Sequence, residues 1–91
     1  MTPTITGYAL TERAAKLLKK VSPQLRNKLF LALKKLLKVP PPTGLNVEKL
    51  AGGKDIYSIR VDLHWRATFK LVGTIAHVRN FDTHDQLYRN P

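Results

Sequence analysis

Three consecutive prolines, Pro40 to Pro42, divide this chain into halves with different hydrophobic periods. Proline has no backbone donor and a fixed φ, so neither a helix nor a central strand can run through Val39–Gly44. Upstream, apolar residues recur at helical spacing: Ala14, Leu17, Leu18 and Val21, then Leu25, Leu29, Leu33 and Leu36, widened by Phe30 and Leu37. Downstream, from Ile56 on, they alternate: Tyr57, Ile59 and Val61 against Ser58 and Arg60, then Trp65, Ala67, Phe69 and Leu71 against Arg66, Thr68 and Lys70. The prolines read as a stiff connector inside one domain, because the residues after them are too few for a second core.

Local signals sharpen the two halves. Thr11 is placed as the N-cap of a first helix, with Glu12 near the positive end of its dipole. Ser22-Pro23 ends that helix and starts the next, Ser as N-cap and Pro at the first helical position. The two apolar stripes can then pack as a helical hairpin. The preceding Pro3–Ala9 segment, with Thr4, Ile5, Thr6 and Tyr8, favours an extended start. Gly73-Thr74 fits a two-residue hairpin turn, leaving Thr74–Phe81 as the last strand. Gly52-Gly53 reads as a turn between the Leu50 and Ile56 segments.

These elements predict a small single α+β domain over residues 1–91, in the order β-α-α-β-β-β. A two-helix hairpin packs on one face of an antiparallel sheet and leaves the other face to solvent. That second face should carry Arg60, Arg66, Thr68 and Lys70, with either His77 and Arg79 or Asn80 according to register.

Composition adds one constraint on function. Sixteen Lys and Arg against six Asp and Glu give a net charge of +10 and a pI near 10.3. Nine of the bases and a single acid, Glu12, fall within residues 1–47. A field of this sign draws in polyanions, whether nucleic acid, ribosome, membrane surface or an acidic protein. The chain has no Cys, which excludes disulfides and thiolate chemistry. No apolar run approaches the roughly 18 residues of a membrane span, and MTPTITGYALTER lacks the pattern of a signal peptide. The expectation is a cytoplasmic protein with no membrane association.

Several side chains carry possible chemistry. Lys49, Lys54, Arg60 and Arg66 form a basic series around one strand, and Arg can grip phosphate through two parallel hydrogen bonds. Taken singly, each reads as an ordinary strand-surface charge; two Arg on one face of adjacent strands in so basic a domain bring the phosphate-binding reading level with it. His84 and Tyr88 lie four residues apart, one turn on a helical tail, where His can move a proton and Tyr can donate a hydrogen bond. In isolation they read as a turn cap and a ring packed on the sheet edge. Trp65 shares the parity of the apolar row and reads as core. His77 has no paired-His or Cys spacing for a metal, no Gly-rich loop cradles phosphate, and no Ser stands in a nucleophile elbow. No cofactor is expected.

The segment LNVEKLAGGKDIYSIRVDLHWRATFKLVGTIAHVRNF and the ending THDQLYR, in this order of elements, resemble the RelE/ParE superfamily of bacterial type II toxins. The resemblance rests on Tyr-x-x-Arg-Val, on the Trp-Arg pair and on His-Asp-x-x-Tyr-Arg after the last strand. It implies a toxin neutralised by a cognate antitoxin, with operator DNA bound through the antitoxin complex. RelE-like members are ribosome-dependent mRNA endoribonucleases that drive a 2′-hydroxyl onto the adjacent phosphate. The alternatives are a ParE-like inhibitor that binds DNA gyrase, and an inactive relative that only binds its antitoxin.

For a metal-independent endoribonuclease the resemblance implies catalytic Arg60, Arg66, His84 and Tyr88. Arg60 and Arg66 contact the phosphate and stabilise transition-state charge, His84 is the acid or base, and Tyr88 stacks on or donates to the cleaved nucleotide. Lys49, Lys54 and Arg89 are implied as substrate-binding, and Lys70 and Arg79 join them as bases expected on the open sheet face. The chain departs from the pattern at Asn80-Phe81-Asp82-Thr83, where RelE-type nucleases often carry a further base. Asp82 and Asp85 place negative charge near the presumed phosphate site.

Overall fold

A computed structural model describes residues 3–50, 55–83 and 86–87. Strand β1 (Gly7–Leu10) is followed by helices α1 (Glu12–Leu18) and α2 (Pro23–Leu36). After the prolines come a 3-10 turn (Thr43–Leu45) and strands β2 (Glu48–Lys49), β3 (Ile56–Arg60), β4 (Trp65–Val72) and β5 (Ile75–Thr83). The expected α+β arrangement of a two-helix hairpin on a sheet is present, with the two-residue β2 as an addition.

Both helix starts follow their caps. Thr11 Oγ1 accepts the Ala14 N–H at 3.2 Å, and Ser22 Oγ accepts the Leu25 N–H at 3.2 Å, with Pro23 at the first helical position. At the corner, Arg26 Nε donates to the Leu18 carbonyl at 3.2 Å and so occupies an acceptor that the end of α1 leaves open. The hairpin presents Ala14, Leu18, Leu29, Ala32, Leu33 and Leu36 to the sheet. Each leucine removed from water in this way contributes about 1.5–3 kcal/mol.

The sheet order is β1-β5-β4-β3-β2. The chain returns after the helices so that β1 lies parallel to β5, while the β2–β3, β3–β4 and β4–β5 pairs are antiparallel. Gly73, at φ 62°, supplies the left-handed residue of the tight turn that leaves Val72 opposite Ile75. Toward the helices the sheet offers Ile59, Ala67, Phe69, Ala76, Val78 and Phe81, all buried. Tyr57 stacks on its cross-strand partner Phe69 with ring centroids 5.4 Å apart, and Trp65 lies 4.9 Å from Phe81, so that Trp65, half-buried, packs against the core on the side its parity indicated.

A bulge settles the register that alternation left open. Thr68 pairs with Asn80 and Phe69 with Val78, so Arg79 is an extra residue on β5. Val78 and Phe81 are three apart, and a regular strand would point them to opposite faces. The bulge turns both into the core, and it puts His77 and Asn80 together on the opposite face.

That opposite face is less open than alternation implied. Its central row, Ser58–Thr68–Asn80, is 2%, 0% and 3% exposed, so Thr68 is not the solvent-facing residue expected. All three side chains have interaction partners, as buried polar groups require. Leu87 is also fully buried, yet lies outside the cluster beneath the helices. The sheet therefore buries residues on both of its faces.

Candidate functional site

The basic residues gather one row away from that buried centre. Arg60 on β3 and Arg66 on β4 are direct cross-strand partners, and Asp82 on β5 stands opposite Arg66. Because the register is set by the buried alternation of β3 and β4, both arginines lie on the face away from the helices. Arg60 is exposed at the end of its strand and Arg66 is half-buried.

The two guanidinium groups have different surroundings. Arg66 Nη1 donates to the carbonyls of Asp62 at 2.7 Å, Trp65 at 3.0 Å and Leu63 at 3.5 Å, which folds it over the turn joining β3 to β4. Arg60 makes no such contact among the described residues. The pair thus combines an anchored cation with one that has no hydrogen-bond partner among the described residues, and both carry the planar fork that suits an anion.

The turn beneath Arg66 is built by Asp62. Its Oδ1 accepts the N–H groups of His64 at 2.9 Å and Trp65 at 2.8 Å, and its Oδ2 receives Lys28 Nζ from α2 at 3.5 Å. Burial pushes the Asp62 carboxyl upward, but the Trp65 and His64 backbone donors and Lys28 together outweigh it and hold the group below its ordinary value. Asp62 stays ionised near neutrality and ties the turn to α2. Sequence reading did not single it out; the signal available was an Asp two residues before His64-Trp65 in a strand-to-strand connection, where an Asp side chain readily bonds the following N–H groups.

The neighbouring acid makes no ion pair with either arginine. Asp82 Oδ1 accepts the Thr83 N–H at 2.7 Å, and the ion pairs among the described residues are Glu12–Lys16 and Lys28–Asp62. The negative charge in the Arg60–Arg66–Asp82 row is therefore partly engaged by backbone.

The other expected contacts divide. Lys70, exposed, lies on the same face as the arginines, paired with His77 on one side and Ile56 on the other. Arg79 is exposed at the bulge. Lys49 pairs with Tyr57, so it shares the parity of the helix-covered face at the β2 edge and is not brought to Arg60 and Arg66. Lys54, His84, Tyr88 and Arg89 lie outside the described residues, as do Gly52-Gly53 and Asp85. Among the described residues no three His, Asp or Glu side chains gather as metal ligands.

Arg60 also reaches a second feature. A cleft of about 360 Å³ runs between α2 and the end of β3, walled by Lys28, Lys35 and Arg60 and lined by Leu31, Ala32 and Leu45. Lys28, Leu31, Ala32 and Lys35 are spaced i, i+3, i+4 and i+7, a helical stripe that borders the sheet-facing one and shares Ala32 with it.

No family model and no curated protein sequence matches the chain. Solved structures match it in fold. YafQ from E. coli strain BL21(DE3) aligns with a TM-score of 0.72 at 17% identity, over 89% of this chain and 96% of that one. A chain of the intact E. coli RelBE toxin–antitoxin complex aligns with a TM-score of 0.68 at 22% identity, over 86% and 95%. A chain of the RelB–RelE antitoxin–toxin complex from Methanococcus jannaschii aligns with a TM-score of 0.70 at 19% identity, over 90% and 98%.

Proposed function

From this RelE toxin fold and the Arg60–Arg66 pair, we propose that the chain is the toxin of a type II toxin–antitoxin pair. Its proposed activity is a ribosome-dependent endoribonuclease that cuts mRNA in the cytoplasm and so inhibits translation. The observation that carries this reading is the cross-strand pairing of Arg60 with Arg66 on the sheet face away from the helices. Two arginines on adjacent strands there, one held by carbonyls and one with no hydrogen-bond partner among the described residues, match what a phosphodiester needs in a transition state that accumulates negative charge.

The reaction forms a bond from the 2′-oxygen to phosphorus and breaks the bond from phosphorus to the 5′-oxygen. One strand ends in a 2′,3′-cyclic phosphate and the other in a 5′-hydroxyl. A base takes the 2′-hydroxyl proton and an acid returns one to the leaving oxygen. Arg60 and Arg66 clamp the phosphate and offset its charge. His84 is assigned the proton transfer and Tyr88 the contact with the nucleotide at the cut. Lys54, Lys70, Arg79 and Arg89 follow the flanking backbone, where unspecific cationic contacts suffice, and Lys49, on the other face, is left out of this role. The cognate antitoxin neutralises the activity and carries the pair to operator DNA.

Induction of the chain in a bacterial host, with mapping of transcript 5′ ends, tests the reading. New 5′-hydroxyl ends within translated messages are expected, and they should vanish in Arg60→Ala and Tyr88→Phe chains. Intact messages accompanied by DNA breaks would replace the nuclease with an inhibitor of DNA gyrase. Absence of any growth defect would leave a chain that only binds its antitoxin.

A further inference from the structure

The turn that joins β3 to β4 is fixed by side chains from three places and carries two others that the fold leaves exposed. Within the turn, Asp62 Oδ1 accepts the N–H groups of His64 and Trp65; from α2, Lys28 Nζ meets Asp62 Oδ2. From β4, Arg66 Nη1 reaches the Asp62 and Leu63 carbonyls. The N–H groups of Val61 and Asp62 both donate to the Trp65 carbonyl, at 3.0 and 3.3 Å. Leu63 is 67% exposed and His64 is exposed beside it, its imidazole without a hydrogen bond or ring contact among the described residues. One exposed leucine is ordinary on a protein surface. Here its backbone is fixed, and a guanidinium of the arginine pair bonds its own carbonyl.

We propose that Leu63 and His64 form a subsite for an unpaired RNA base, beside the phosphate held by Arg60 and Arg66. A nucleotide joins its base to its phosphate through one ribose, so a base subsite has to adjoin the clamp. This turn does, because Arg66 belongs to both. Unstacked bases are received on imidazole and apolar side chains, which offer contact area to any ring face. A turn already ordered by Asp62 loses little entropy when a base settles on it. The acid in the turn is itself occupied by Lys28 and two N–H groups, so it opposes the phosphate less than a free carboxylate would. The inference rests on the nuclease reading and deepens it, since it adds the side chains that place a base next to the bond to be cut.

The purified chain, labelled for amide NMR, is titrated with two oligomers of equal length and charge. One is a 2′-O-methyl RNA hexamer, which has no 2′-hydroxyl to attack with; the other is an abasic ribose–phosphate hexamer. The RNA should shift the amide signals of Leu63, His64 and Trp65, and bind about tenfold tighter than the abasic oligomer. A chain carrying Leu63→Ala and His64→Ala should bind both oligomers alike, at the parent's affinity for the abasic one, with the rest of its spectrum unchanged. Val72→Ala, which truncates an exposed apolar residue at the other end of β4, should keep the tenfold discrimination. The proposal is overturned if the parent binds both oligomers alike or neither, if the double variant still discriminates, or if the shifts fall away from this turn. Mapping of transcript 5′ ends keeps the two readings apart. New ends from a chain that binds both oligomers alike refute the subsite alone, whereas discrimination by a chain that yields no new ends refutes the nuclease alone.

Discussion

Arg60 and Arg66 stand directly opposite each other on β3 and β4, two cations at one cross-strand site. Like charges so placed destabilise a sheet. The chain tolerates the pair because Arg66 Nη1 is drawn onto the carbonyls of Asp62, Leu63 and Trp65. The same guanidinium thus secures the turn and takes part in the proposed phosphate clamp.

Arg66→Ala should therefore cost stability as well as activity. Loss of the carbonyl contacts is partly offset by relief of the repulsion, giving a net destabilisation of about 1 kcal/mol by urea unfolding. Arg66→Lys keeps the charge without the planar fork and should also lose growth arrest while remaining folded. Wild-type stability in Arg66→Ala would show that the carbonyl contacts do no more than balance the repulsion.

Arg60→Ala should separate the two effects. Arg60 is exposed and makes no hydrogen bond among the described residues, so the change in stability should stay within about 0.5 kcal/mol. RNA binding should weaken, and the slope of log affinity against log salt should fall by about one. An unchanged salt slope would remove Arg60 from the RNA contact.

Asp62 links stability to pH. Its folded carboxyl is held below the ordinary value, so its contribution is fully present above the unfolded value of about 3.9 and is lost as pH falls through the lower folded value. The stability difference between the parent and Asp62→Asn should be level from neutral pH down to about 5 and shrink below about 4. A difference that grows on acidification would contradict the assignment.

Ser22 tests the start of α2. Its Oγ accepts the Leu25 N–H, so Ser22→Ala should destabilise the chain by about 1 kcal/mol and Ser22→Gly by only a few tenths. Equal effects from the two substitutions would argue against the cap.

Helix caps, helical stripes and strand alternation were all legible from residue order, because each depends on neighbours within one or two turns or pleats. Thr11, Ser22-Pro23, the Leu29–Leu33–Leu36 stripe and the Gly73-Thr74 turn all act where their local chemistry places them. The spacing of Val78 and Phe81 already conflicted with a regular strand, but choosing where to insert the extra residue required the partner strand β4. Burial of Thr68, the parallel seating of β1 beside β5 and the placement of Lys49 away from Arg60 likewise depend on which strands become neighbours.

The site divides in the same way. The residue types that can hold a phosphate were visible in the chain, since the charge and fork geometry of Arg belong to the side chain. Which of them meet was a matter of register: pairing Arg60 with Arg66, turning Asp82 onto Thr83, and closing Lys35 and Arg60 around one cleft bring together residues from separate elements. One-dimensional order carries local preference, whereas long-range pairing is selected by burial of the whole core. That is why residue order revealed the helices, every strand but the short β2 and the basic character of this protein, and folding alone decided which cations share a site.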